Sequence, residues 1–120
     1  MSAASPWPTE IRLGEQGRKL AVSFDDGRHF DFTAEYLRVE SPSAEVQGHG
    51  PDQKRLVAGK SQIRITAIEP VGHYAVRLVF DDGHDTGIYS WSRLMEMGIN
   101  HDAWWMAYLD ALGRAGLKRR

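Results

Sequence analysis

Cysteine is absent from the 120-residue chain, and that one absence excludes disulfides, thiolate metal sites and cysteine nucleophiles together. An excess of either charge is absent too. Fifteen Lys and Arg stand against 16 Asp and Glu, a formal net charge of −1, so no global field draws in nucleic acid or an anionic membrane. No apolar run approaches the ~20 residues of a membrane span. The amino terminus lacks a basic stretch followed by an apolar one, so no signal peptide is read. Nor is there a phosphate-cradling glycine loop or a visible nucleophile–base pair. The expectation is a soluble cytoplasmic protein with neither nucleic acid nor membrane as partner. What is present is ordinary for a globular chain, 42% hydrophobic and 26% charged, and the length suits one domain.

The chain repeats itself. Phe24-Asp25-Asp26-Gly27 returns as Phe80-Asp81-Asp82-Gly83, an offset of 56 residues. Thr9 and Ile11 return as Thr66 and Ile68, and Thr33 and Leu37 as Ser90 and Leu94, an offset of 57. Loops and bulges absorb such one-residue slips. Leu20, Val22 and Phe24 stand where Val76, Leu78 and Phe80 stand, and alternation at period two makes each trio the inward face of a strand. The expected fold is α+β: antiparallel sheet from two pseudo-repeated β-β-β-α units, plus a carboxy-terminal helix over the sheet.

Residues 1–8 read as a flexible tail in which Trp7 either docks or frays, 9–116 as the domain, and 117–120 as a solvated basic tail. The first unit has strands over 9–13, 19–24 and 29–32, an Asp26-Gly27 hairpin turn, and a short helix capped by Thr33 and ending near Arg38. In the second unit a strand carrying Ile63 and Ile65 ends at Pro70, and Tyr74, Val76, Leu78 and Phe80 point inward. A strand over 84–89 then leads to Ser90, which caps a helix bearing Trp91, Leu94 and Met95 until Gly98 terminates it. Asn100 caps a last helix whose Trp105, Tyr108, Leu109 and Leu112 follow core spacing. It ends at Gly113 and Gly116. Trp104 lies about 100° round that helix from Trp105 and is the tryptophan placed for exposure. Residues 40–60 show no apolar period and read as an irregular segment, functional or mobile.

Candidate chemistry is sparse. Asp25-Asp26 and Asp81-Asp82 look like acid–base pairs, but neighbours on a strand point to opposite faces, and turn formation explains them better. His29 and Asp31 match two ligands of an iron(II) facial triad, with no third in view. His49, between two glycines, and His84, just past the second Asp-Gly turn, are the remaining candidates.

Leu37-Arg38 opens the long segment, Ser41-Pro42-Ser43-Ala44-Glu45-Val46-Gln47-Gly48-His49-Gly50 follows, and Gly83-His84 precedes Tyr89 and Trp91. In these motifs, over roughly residues 9–91, the chain resembles the γ-butyrobetaine hydroxylase-like N-terminal domains, in particular small stand-alone bacterial members. The resemblance implies no reaction of its own and no catalytic residues, because in that hydroxylase iron and 2-oxoglutarate belong to a separate domain. It also implies a zinc position, since zinc-binding members carry Cys-x-Cys-x-x-Cys after Leu-Arg and a histidine after the later glycine. Matched by position, these ligands fall on Ser41, Ser43, Val46 and His84. Three of the four are missing, so no zinc is expected there. A relocated site of Glu45, His49, His84 and Asp85, taking zinc or iron, is the alternative.

The leading function is a cytoplasmic accessory or protein-interaction domain with an unknown protein partner. Its relatives tie it to iron or iron–sulphur metabolism, and Pro42, His49, Trp91 and Trp104 are candidate contacts. The alternative is a metal-binding or metal-delivery protein using His49 and His84. A monomer is the expected state.

Overall fold

The period-two runs become strands. In the computed structural model, which describes residues 6–120, β1 (Pro8–Gly14), β2 (Lys19–Phe24) and β3 (His29–Thr33) form an antiparallel sheet in that order, followed by α1 (Ala34–Val39). A second sheet, β4 (Ile65–Val71), β5 (Ala75–Phe80) and β6 (Ile88–Ser90), is followed by α3 (Trp91–Ile99). Between the units lies α2 (Ala44–Gln47), and α4 (His101–Ala115) follows them. The architecture is α+β, two β-β-β-α units and a carboxy-terminal helix. Among the described residues no helix is long and apolar enough to cross a membrane.

The units agree in the hydrogen bonds of their bulges, Asp-Gly turns and helix caps. Each first strand is bulged near its start, at Thr9 and at Thr66, and each threonine hydroxyl donates to a carbonyl of the next strand, Ser23 or Val79. Each Asp-Gly turn places its glycine at positive φ, 90° for Gly27 and 89° for Gly83, which glycine adopts without steric cost. All four paired aspartates serve these turns. Asp26 and Asp82 accept from the Arg28 and His84 amides, and Asp25 and Asp81 from those of Trp7 and Arg64. Thr33 and Ser90 cap α1 and α3, accepting from the Tyr36 and Arg93 amides, as expected.

The register slips have places. Gly14 pairs with Lys19 across four residues, whereas Val71 pairs with Ala75 across three. The compensating extra residue of the second unit falls between Gly83 and Ile88, and there the chain leaves the sheet. The expected strand over 84–89 therefore shrinks to Ile88–Ser90. Residues 84–87 become a loop with His84 buried in it.

Other expectations are corrected. Tyr74 belongs to the hairpin turn and is 59% exposed, so the inward face of this strand is Val76, Leu78 and Phe80 alone. β4 begins at Ile65 and runs through Pro70 to Val71, as an edge strand allows. Gly98 lies within α3 rather than ending it: a β-carbon there would stand 2.5 Å from the Phe30 ring, so the glycine permits close packing. Asn100 does not cap α4 with its side chain, which donates to the Glu96 carbonyl. Of the two glycines expected to end that helix, Gly113 lies within it and Gly116, at φ 69°, ends it. The carboxy-terminal residues are not free in solvent. The Lys118 and Arg119 carbonyls accept from the Gly59 and Ser61 amides, and Arg119 makes a two-pronged ion pair with the buried Glu35.

One core serves both units: Leu20, Val22 and Phe32 of the first pack with Leu78, Phe80 and Leu94 of the second. Two tyrosines lock it reciprocally. Tyr36 of α1 donates its hydroxyl to the Met97 carbonyl of α3 (2.8 Å), and Tyr89 of β6 donates to the Leu37 carbonyl of α1 (2.5 Å). Burial raises the pKa of both phenols, which keeps them neutral donors.

Candidate functional site

Residues 40–60, without a period of their own, are packed by contacts with distant elements. Ser41, Ser43 and Val46 are buried. Val57 and Ala58 pack against Val39, Tyr108 and Leu112, and the Tyr108 hydroxyl donates to the Val57 carbonyl (2.6 Å). The segment is thereby brought against the second Asp-Gly turn.

His84 is the meeting point. Its side chain is 3% exposed, with Nε2 2.8 Å from Ser41 Oγ and Nδ1 3.0 Å from Glu45 Oε2. A carboxylate only accepts, so Nδ1 carries the proton and Nε2 of the neutral ring accepts from the Ser41 hydroxyl. Burial chiefly, and then the Arg38 guanidinium, lower the histidine's pKa, while Glu45 and Asp82 oppose them. Ser43 Oγ lies 2.6 Å from Thr86 Oγ1. Residues 41, 43 and 45 are thus tied to the loop that holds His84, by two hydroxyls and a carboxylate.

The Ser41–His84–Glu45 chain has the connectivity of a serine, histidine and acid triad, a nucleophile–base pair that the sequence reading had not found. Catalysis needs a reachable hydroxyl. Ser41 is 0% exposed, and a β-carbon on Gly87 would come within 2.6 Å of its Oγ. The chain is a clasp holding the segment to the turn.

The remaining candidates disperse. His49 is exposed, and its amide donates to Gln53 Oε1. Asp85 is exposed and faces Arg77, with Oδ2 3.5 Å from Nη1. Of the quartet Glu45, His49, His84 and Asp85, the hydrogen bonds join only Glu45 to His84, and among the described residues no three His, Asp or Glu side chains are grouped to hold a metal. His29 and Asp31 share an exposed sheet face and bind one another at 3.0 Å. Pro42 is half-buried, and Trp91 donates Nε1 to the His73 carbonyl. Trp104 is half-buried beneath the Arg93 guanidinium, 5.2 Å from its ring centroid.

Two concavities adjoin the segment. A cleft of about 410 Å³ between it and α4 has Val39, Leu56, Trp104, Ala107, Tyr108 and Ala111 as its apolar lining, with Lys54, Arg55 and Arg93 also on its wall. A second pocket of about 730 Å³, across residues 55–56, includes Arg38, Arg55, Lys60 and His49. Neither is lined by Ser41 or His84. Sequence reasoning missed Arg38, Arg55, Lys60, Arg93 and Tyr108. The available signal was the charged run from Lys54 meeting the apolar triplet Leu56-Val57-Ala58.

The family model described as gamma-butyrobetaine hydroxylase-like, N-terminal, matches residues 11–95. Two proteins with NMR solution structures are similar at TM-score 0.82. One is 47% identical, over 99% of this chain and 90% of that one; the other is 41% identical, over 97% and 91%. A crystallised protein of unknown function from Acidithiobacillus ferrooxidans, of the DUF971 family, is 40% identical over 76% of this chain and 91% of its own, at TM-score 0.63. No curated protein matches.

Proposed function

Because the chain belongs to the γ-butyrobetaine hydroxylase-like N-terminal family, we propose that it acts as a cytoplasmic, non-catalytic accessory domain that docks a partner protein. The observation that carries this reading is the cleft between the 39–56 segment and α4. Its apolar lining meets Arg55, Arg93 and Lys54, the last ion-paired with Glu40, which also lines the cleft. That combination suits a short partner segment presenting an apolar side chain and a carboxylate, with the aromatic and arginine groups as anchors. Trp104, among the contact residues read from sequence, lies in this cleft, while Pro42 and Trp91 do not line it. The tie to iron or iron–sulphur metabolism is part of the proposal and rests on the family resemblance.

Metal handling through His49 and His84 is not what this geometry favours. Both ring nitrogens of His84 are engaged, so a metal would have to displace Ser41 or Glu45 from it.

Photo-crosslinking in the native host, with the probe on α4, tests the reading. Wild type should capture a defined partner with crosslinks mapping to the cleft, and Ala107→Glu, at an exposed position, should abolish that capture. Asp102→Ala, an exposed change outside the cleft lining, should leave it intact. An unchanged capture set in Ala107→Glu removes the proposal.

A further inference from the structure

The second pocket has an unbalanced charge. Arg38 from α1 and Arg55 and Lys60 from the following segment line one concavity of about 730 Å³, and Glu45 is its one acidic lining residue. Asp82 adjoins them and is shared, 2.8 Å from both Arg38 Nε and Lys60 Nζ. Three cations therefore face two carboxylates, and Glu45 is turned to the His84 ring. Arg55 is exposed and makes no ion pair among the described residues. Arg38 Nη1 is buried without a hydrogen-bond partner. An arginine N–H withdrawn from water is held at a free-energy cost until an acceptor reaches it.

We infer that this pocket is a binding site for a small molecule carrying an oxyanion, phosphate or carboxylate, held between Arg38, Arg55 and Lys60. Charge-assisted hydrogen bonds from guanidinium and ammonium groups are the strong interactions open to such a head group. The volume lies within the range of small-ligand pockets, roughly 300–1,000 Å³. Asp82 arranges rather than repels. Burial alone would raise its pKa, but Lys60, the His84 amide and Arg38 together hold it at about 2, so it stays charged and fixes two of the three cations in place. The site is separate from the protein-docking cleft, although Arg55 and Leu56 border both.

Inorganic phosphate in one arm and citrate in the other, titrated into the 15N-labelled full chain against sodium chloride at matched ionic strength, tests the inference. Saturable shifts are expected at Gly48, His49, Gln53 and Arg55, with binding weakened at least tenfold in Arg55→Ala. The control Arg120→Ala should bind as wild type. Saturation by phosphate alone assigns a phosphorylated ligand, and by citrate alone a carboxylated one. Ala107→Glu should bind the anion normally, which separates this inference from the docking proposal. No saturation in either arm, identical shifts with chloride, or undiminished binding by Arg55→Ala overturns it.

Discussion

Gly98 shows how one residue can be answerable to a partner far away in sequence. Its α-carbon lies against Phe30, so Gly98→Ala should destabilise the fold by about 1–3 kcal/mol through overpacking, despite alanine's helix preference of about 1 kcal/mol. Gly113, also helical, has open space at its β-position. Gly113→Ala should be neutral or stabilising in the same urea titration. The sequence made Gly98 look like a helix end because a glycine after an apolar stripe commonly is one; nothing local announces a ring from β3. His84 was legible as a candidate, but its clasp was not, since Ser41 is 43 residues away. Its pH dependence follows from burial. With its folded pKa below the ordinary 6.5, the unfolded chain takes the proton more readily, so this contribution to stability is intact above 6.5 and is lost as pH falls toward the lowered value. Urea midpoints should therefore decline through that range, with a smaller slope in His84→Gln. Equal slopes would show that the ring takes up its proton equally in the folded and unfolded chain, with no lowering of its pKa by the clasp.

Between elements, the two tyrosine hydroxyls and the carboxy-terminal strap carry specific weight. Tyr89→Phe leaves the Leu37 carbonyl without its phenol donor, and Tyr36→Phe does the same to Met97. Each should cost about 1–2 kcal/mol in thermal or urea unfolding, and a double variant at the single-variant level would refute two independent ties. The strap holds Glu35, whose side chain is 6% exposed while that of Arg119 is 51% exposed. Removing residues 117–120 should destabilise the protein by about 1–3 kcal/mol, the expected cost of leaving a buried polar group unpartnered. Adding Glu35→Gln to the truncated chain should restore part of it by removing the stranded charge. Strands, Asp-Gly turns and the Thr33 and Ser90 caps were legible because their hydrogen bonds join near neighbours. The strap was not: its ion pair spans 84 residues, and Lys118-Arg119-Arg120 at the end of a chain looks solvated.

At the scale of the molecule, the duplicated anchors were enough to read both units, since Thr9 and Thr66 and the two Asp-Gly turns each fold by local rules. How the units sit together was not readable, because that depends on side chains meeting across one shared core. That core should make unfolding a single event, with far-ultraviolet circular dichroism and tryptophan fluorescence tracing superimposable urea curves; two resolved transitions would show the units to be separable. The crossed tyrosines have a further consequence for ancestry. Each copy now completes a helix in the other, so deleting either would strand a carbonyl in its sister. Spare parts have become mutual obligations, and the freedom to drift that duplication normally brings is left to the first hairpin turn of each unit and the loop after Gly83.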